Sequence, residues 1–150
     1  MTAVSDSQSK IAWPYLIAAL VSLVGLGDAI YLTIQDLTGA SLRCTFSGCS
    51  EVLSSKYAHI GSIPLASVGA GAYFTVFSLA ILAGFGYKFA RPLLTLMVGL
   101  MFLTTLWLLY LQAFVIHHFC QYCLLSAAVT TVLSIIVLGT RLARSHHRKS

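Results

Sequence analysis

Residues 13–34 read WPYLIAALVSLVGLGDAIYLTI, with Asp28 the only charge in the run. Aromatic residues stand at both ends, Trp13 and Tyr15 at one and Tyr31 at the other. That is where amphipathic rings sit when a helix leaves hydrocarbon for the interfacial layer. A bilayer core of ~30 Å is crossed by about 20 apolar residues, so the run predicts a membrane span. It is longer than the apolar core of a signal peptide, and no small-residue cleavage pattern follows. It is therefore read as retained.

Three further runs repeat the pattern, at about 63–87, 92–116 and 120–139. Pro92 suits the first turn of a helix, because its missing N–H would have no partner there. Ala66, Gly69 and Gly71 are expected to let neighbouring helices approach closely. The rest of the composition agrees. Of 150 residues, 58% are hydrophobic and 9% charged, and mean hydropathy is +0.88. A soluble domain carries roughly 25% charged residues, so an ordinary water-facing surface is excluded. The fold class predicted is an all-α membrane protein. It is a four-transmembrane-helix bundle with an outer, periplasmic loop (35–62) carrying a short helix. Residues 1–12 and 141–150 are read as cytoplasmic tails, the first polar and unstructured, the second basic, around a domain at 13–140.

The formal charge is +5, which raises the question of nucleic acid. The basic residues lie at segment ends, however, and no basic stripe is interleaved with aromatic residues. Nucleic acid is thereby excluded as a partner, and the lipid bilayer is the expected surroundings. With four spans, both termini share a side with the Lys88–Arg91 turn. Lys10, Lys88, Arg91, Arg141, Arg144, Arg148 and Lys149 fall on that side, and only Arg43 and Lys56 on the other. By the positive-inside rule the termini are cytoplasmic. All four cysteines then sit at the outer face, where disulfides persist.

Those cysteines are Cys44 and Cys49 in the outer loop, and Cys120 and Cys123 at the start of the fourth span. A C-x-x-C at a helix start has a chemical logic. Unpaired N–H groups and the positive end of the helix dipole stabilise a thiolate, the form that attacks disulfides. Positions 120 and 123 also lie on nearly one helix face. A structural zinc site, two inert disulfides, and packing as small hydrophobes compete with this reading, but two pairs on one outer face, one of them at a helix start, favour redox work. No His pair completes a zinc pattern, and the expected metal content is none.

The stretch from Cys44-Thr-Phe-Ser-Gly-Cys49 through Ser55, then Gly61-Ser-Ile-Pro-Leu-Ala, then Cys120-Gln-Tyr-Cys123, resembles bacterial members of the vitamin K epoxide reductase family. Gly27-Asp28-Ala-Ile-Tyr31-Leu-Thr is similar to the family's first span. The resemblance covers about residues 13–140. In DsbB, a functional counterpart, the C-x-x-C lies in the first outer loop instead, so the order here points to this family.

The resemblance implies a membrane oxidoreductase of the bacterial inner membrane that supports disulfide-bond formation. A separate thioredoxin-like, DsbA-type protein would be oxidised at Cys44. Cys49 would relay to Cys120, and Cys123 would face a quinone, ubiquinone or menaquinone. Ser55 matches the family's serine near the cysteines. Asp28, Phe119 and Tyr122 are further candidates for the quinone site. Two departures bear on the reaction. Animal members carry a Tyr four residues after the C-x-x-C and an Asn in the second span, where this chain has Ala127 and Leu65. Oxidation of protein thiols is therefore expected over epoxide reduction. The alternatives are a vitamin K quinone or epoxide reductase, and a non-enzymatic membrane protein stapled by disulfides. Lacking a fused thioredoxin-like domain, the chain is expected to use a separate partner.

Overall fold

The structure is a computed structural model and describes residues 2–39, 52 and 54–149. Four long helices are each apolar enough to cross a membrane. They are α1 (Thr2–Thr38), α2 (Leu65–Gly84), α3 (Ala90–Tyr110) and α4 (Gln121–Lys149). A π-helical segment, Leu111–Ile116, continues α3. The protein is an all-α, multi-pass membrane bundle. Its described strands are two short ones, β1 (His59–Ile60) and β2 (Ile63–Pro64), paired antiparallel ahead of α2. The turn between them uses Gly61 at φ +67°, a left-handed conformation that glycine adopts without a Cβ clash. Val52 is helical, and the rest of the short helix expected in the loop lies outside the described residues.

The helices outrun the apolar runs that predict them. α1 extends to Thr38 and is already helical from Thr2, so its backbone is not the unstructured tail expected for residues 1–12. α4 continues through the basic residues to Lys149 instead of ending at Gly139. Arg, Leu and Ala are good helix formers whether or not lipid surrounds them. Hydropathy therefore marks where the bilayer stops, not where the helix does. At the basic end, the Arg144 guanidinium lies 5.7 Å from the Tyr15 ring centroid. That contact ties the extension of α4 back to α1.

Without a hydrophobic drive between helices in lipid, close backbone approach and interhelical hydrogen bonds hold such a bundle together. The small-residue seam that permits this approach is on α1. Ala18, Ser22, Gly25 and Ala29 recur along one face, and all are buried. The seam expected on the second span is not used in this way. Added Cβ atoms at Gly69 and Gly71 would meet nothing within 4 Å. Against the α1 seam, α2 buries Tyr73, Val76, Ala80 and Ala83.

Tyr73 is the keystone of this packing. Its ring lies so close over Gly25 that any Cβ there would overlap Cε1, Cζ and Cδ1. The ring cannot swing away freely, because its hydroxyl is held by α4. The Tyr73 hydroxyl is 2.7 Å from Ser126 Oγ, 3.0 Å from Thr130 Oγ1 and 3.1 Å from the Ser126 carbonyl. One side chain thus fixes α1, α2 and α4 together. Gly25→Ala should lower stability by about 1–3 kcal/mol, the usual cost of overpacking. Reversible unfolding in detergent checks this, and Gly25→Ala combined with Tyr73→Ala should recover part of the loss.

Candidate active site

At the end of the bundle away from the basic turn, the four helices enclose a cavity of about 300 Å³. Its walls are mostly apolar; the polar side chains on them include Asp28 and Asp36 from α1, Ser55 and Tyr57 from the segment before the hairpin, Gln112 and Cys123. Val68 of α2 and Leu100 of α3 line it and are exposed. The cavity is therefore open at these two helices.

Cys120 and Cys123 are both free thiols. Cys120 closes the chain onto α4, its carbonyl accepting the Leu124 N–H at 3.0 Å. It is fully buried against Val52, Ile116 and Tyr122. Cys120, in the turn just before the span, has a thiol pulled down from the ordinary range to about 7. The largest cause is the Cys123 S–H donating to it. Burial opposes the shift, and the backbone N–H groups of Cys123 and Tyr122 favour it. Cys120 thus sits where a helix N-cap acceptor sits, with the same donors available to its sulfur. Cys123, one turn on, lies on the cavity wall, while Cys120 does not.

The other residues expected at the site separate into two groups. Asp28 and Ser55 line the cavity, as do Ala127 and Leu65, the positions of the family's Tyr and Asn. The Ser55 hydroxyl donates to the Val52 carbonyl at 2.7 Å, which leaves its oxygen an acceptor toward the cavity. Phe119 and Tyr122 are not on the cavity wall. Phe119 is 50% exposed on the outer surface of the turn before α4. Tyr122 packs against Tyr31 of α1 in a tilted ring pair, with centroids 5.3 Å apart. Adjacent helix positions point about 100° apart, so with Cys123 aimed into the cavity Tyr122 must aim elsewhere. Cys44 and Cys49 lie outside the described residues.

The structure adds groups that the sequence did not single out. Gln112, 2% exposed, accepts the Cys120 N–H at Oε1 with a separation of 3.1 Å and also lines the cavity. The π-helical turn supplies the register for this reach, and π turns often occur at functional sites. His117 at φ +58° then reverses the chain toward Cys120. At the cavity's other rim, His59 Nε2 meets Asp36 Oδ2 at 3.0 Å. The only signals in the sequence were a lone Gln in an apolar run and a His beside the hairpin, and neither has a partner close in the chain.

The sequence profile of the vitamin K epoxide reductase family matches residues 16–138. The chain belongs to this family. Its members are membrane thiol–disulfide oxidoreductases linked to a quinone or vitamin K. The family's match spans all four helices and both halves of the cavity. Gln112→Leu should orphan the buried Cys120 N–H and cost about 1–3 kcal/mol. Thermal unfolding read by Cys120 accessibility to a small thiol reagent would check it.

Proposed function

We propose that this protein oxidises a separate thioredoxin-like, DsbA-type partner and passes the electrons to a membrane quinone. One observation carries the reading: two adjacent thiols face different surroundings. Cys123 opens on the cavity, and Cys120 is covered by Val52, only three residues beyond Cys49 in the chain. A relay needs such a division, with one sulfur toward the loop and one toward the acceptor. The cavity's mostly apolar lining and small set of polar groups suit a quinone ring.

In the proposed sequence the partner's dithiol reduces a Cys44–Cys49 disulfide, being oxidised in turn. The Cys49 thiolate attacks Cys120 of a Cys120–Cys123 disulfide. The Cys49–Cys120 bond forms, the Cys120–Cys123 bond breaks, and Cys123 leaves as a thiolate on the cavity wall. Cys44 then attacks Cys49, which restores the loop disulfide and frees Cys120. Each transfer is a thiol–disulfide exchange that conserves electrons. A bound quinone supplies the two-electron sink. Cys120 stabilises its own thiolate through the Cys123 S–H and two backbone N–H donors, so it is a good leaving and attacking sulfur. Ala127 and Leu65 leave the wall without the Tyr hydroxyl and Asn amide of animal members, which favours thiol oxidation over epoxide reduction.

The cysteine end is proposed to face the periplasm of a bacterial inner membrane, with both termini cytoplasmic. Seven of nine basic residues at the opposite end support this orientation. Replacing Cys49 or Cys120 singly by Ala should reduce quinone reduction by a reduced partner to background in membranes, and full turnover in either variant would sink the relay. In a cysteine-free background, a membrane-impermeant maleimide should label Lys56→Cys in intact cells and leave Lys88→Cys unlabelled.

A further inference from the structure

The relay above leaves one buried group without a task. Asp28 lies within α1's membrane span, is 9% exposed and lines the cavity. Its Oδ2 has no hydrogen-bond partner among the described residues. An intramembrane carboxyl without a partner weakens the fold, and such residues mark ion or proton pathways.

We infer that Asp28 hands a proton to the acceptor reduced at Cys123, taken as a para-quinone on the reading proposed above, on which this inference rests. The need for such a group follows from the balance of the reaction. A dithiol and a quinone give a disulfide and a hydroquinone, so two protons must end on the ring oxygens inside an apolar cavity. The Cys120 thiolate and the Cys123 thiol that donates to it supply two electrons as their S–S bond forms. Cys123 S–H supplies one proton and the Asp28 carboxyl the other. The products are the Cys120–Cys123 disulfide, the hydroquinone and the Asp28 carboxylate, and the net charge of the site is unchanged.

Three of the neighbouring candidates are otherwise engaged, and Tyr57 is 40% exposed rather than buried like Asp28. The Ser55 hydroxyl donates to Val52, the Tyr73 hydroxyl is held by Ser126 and Thr130, and Asp36 is paired with His59. That pair lies about 12 Å further along α1, at 1.5 Å per residue. Asp36 shares the cavity wall with Asp28, and its partner His59 is 34% exposed.

The groups that bear on the titration of Asp28 are few. Cys123 and Tyr122 from α4, and Cys120 just before it, are within its electrostatic reach. Tyr73 from α2, Tyr57 before the hairpin and Asp36 on its own helix share the cavity. The wall from α3 and the π segment carries no titratable side chain.

The test uses the full chain in membranes, dithiothreitol as reductant and ubiquinone-1 as acceptor. Asp28→Asn should slow quinone reduction by ~100-fold, the scale of a lost general acid. Reduction of the Cys120–Cys123 disulfide by dithiothreitol without quinone should be unchanged. The wild-type rate should fall on the alkaline side, where a proton donor is lost, and Asp28→Asn should lack that limb. Asp28→Glu should restore both rate and limb. Asp28→Asn turning over at the wild-type rate, or retaining the alkaline limb, would overturn the inference. So would an equal slowing of the dithiothreitol step, which would make Asp28 a structural residue. If wild-type protein fails to reduce ubiquinone-1, the quinone reading itself falls, and that outcome is visible before any substitution is made.

Discussion

The contact of Tyr73 with Gly25, together with its hydroxyl bonds to Ser126 and Thr130, is the constraint on which the site depends. In lipid, apolar side chains gain little by touching one another instead of the acyl chains. Position must come from shape and from hydrogen bonds. Tyr73 supplies both at once. Its ring sets the spacing of α1 and α2, and its hydroxyl sets the rotation of α4. Ser126 is one turn beyond Cys123, so that rotation aims Cys123 at the cavity and Tyr122 at Tyr31. Asp28 is one turn beyond Gly25 on α1, so the same contact brings it to the facing wall.

The electrostatics of the cysteine pair follow from this placement. Cys120 occupies the cap position of α4, with its N–H taken by Gln112 and its sulfur facing the Cys123 S–H and two backbone donors. Cys123 has the apolar cavity before it. Two chemically identical side chains, three residues apart, therefore have different surroundings: one lies among donors, and the other lines the apolar cavity.

Much of the fold was legible because membrane spans leave a loud signal. Four apolar runs, their aromatic ends and the basic turn at Lys88–Arg91 were enough for the number of helices. The helix ends were not legible, since α1 continues past Ile34 and α4 past Gly139 on propensity that hydropathy does not register. Of the site, the C-x-x-C and Asp28 could be picked out by residue type and spacing, and Ser55 through the family resemblance. Phe119 and Tyr122 could not be placed, because neighbours on a helix start differ by about 100° in direction. Gln112 and the Asp36–His59 pair depend on contacts 8 and 23 residues apart, and no local pattern encodes them.

The opening beside Val68 and Leu100 has a consequence for how the protein meets its substrates. A molecule entering there comes sideways from the bilayer, with its tail still dissolved in acyl chains. Its availability is counted per lipid, not per litre of cytoplasm or periplasm. On the function proposed above, the two reactants would reach opposite ends of one electron path from solvents of different dimension. One diffuses in three dimensions through water, and the other in two dimensions through the leaflet. Saturation by the second would then track membrane composition even when the aqueous phase is unchanged.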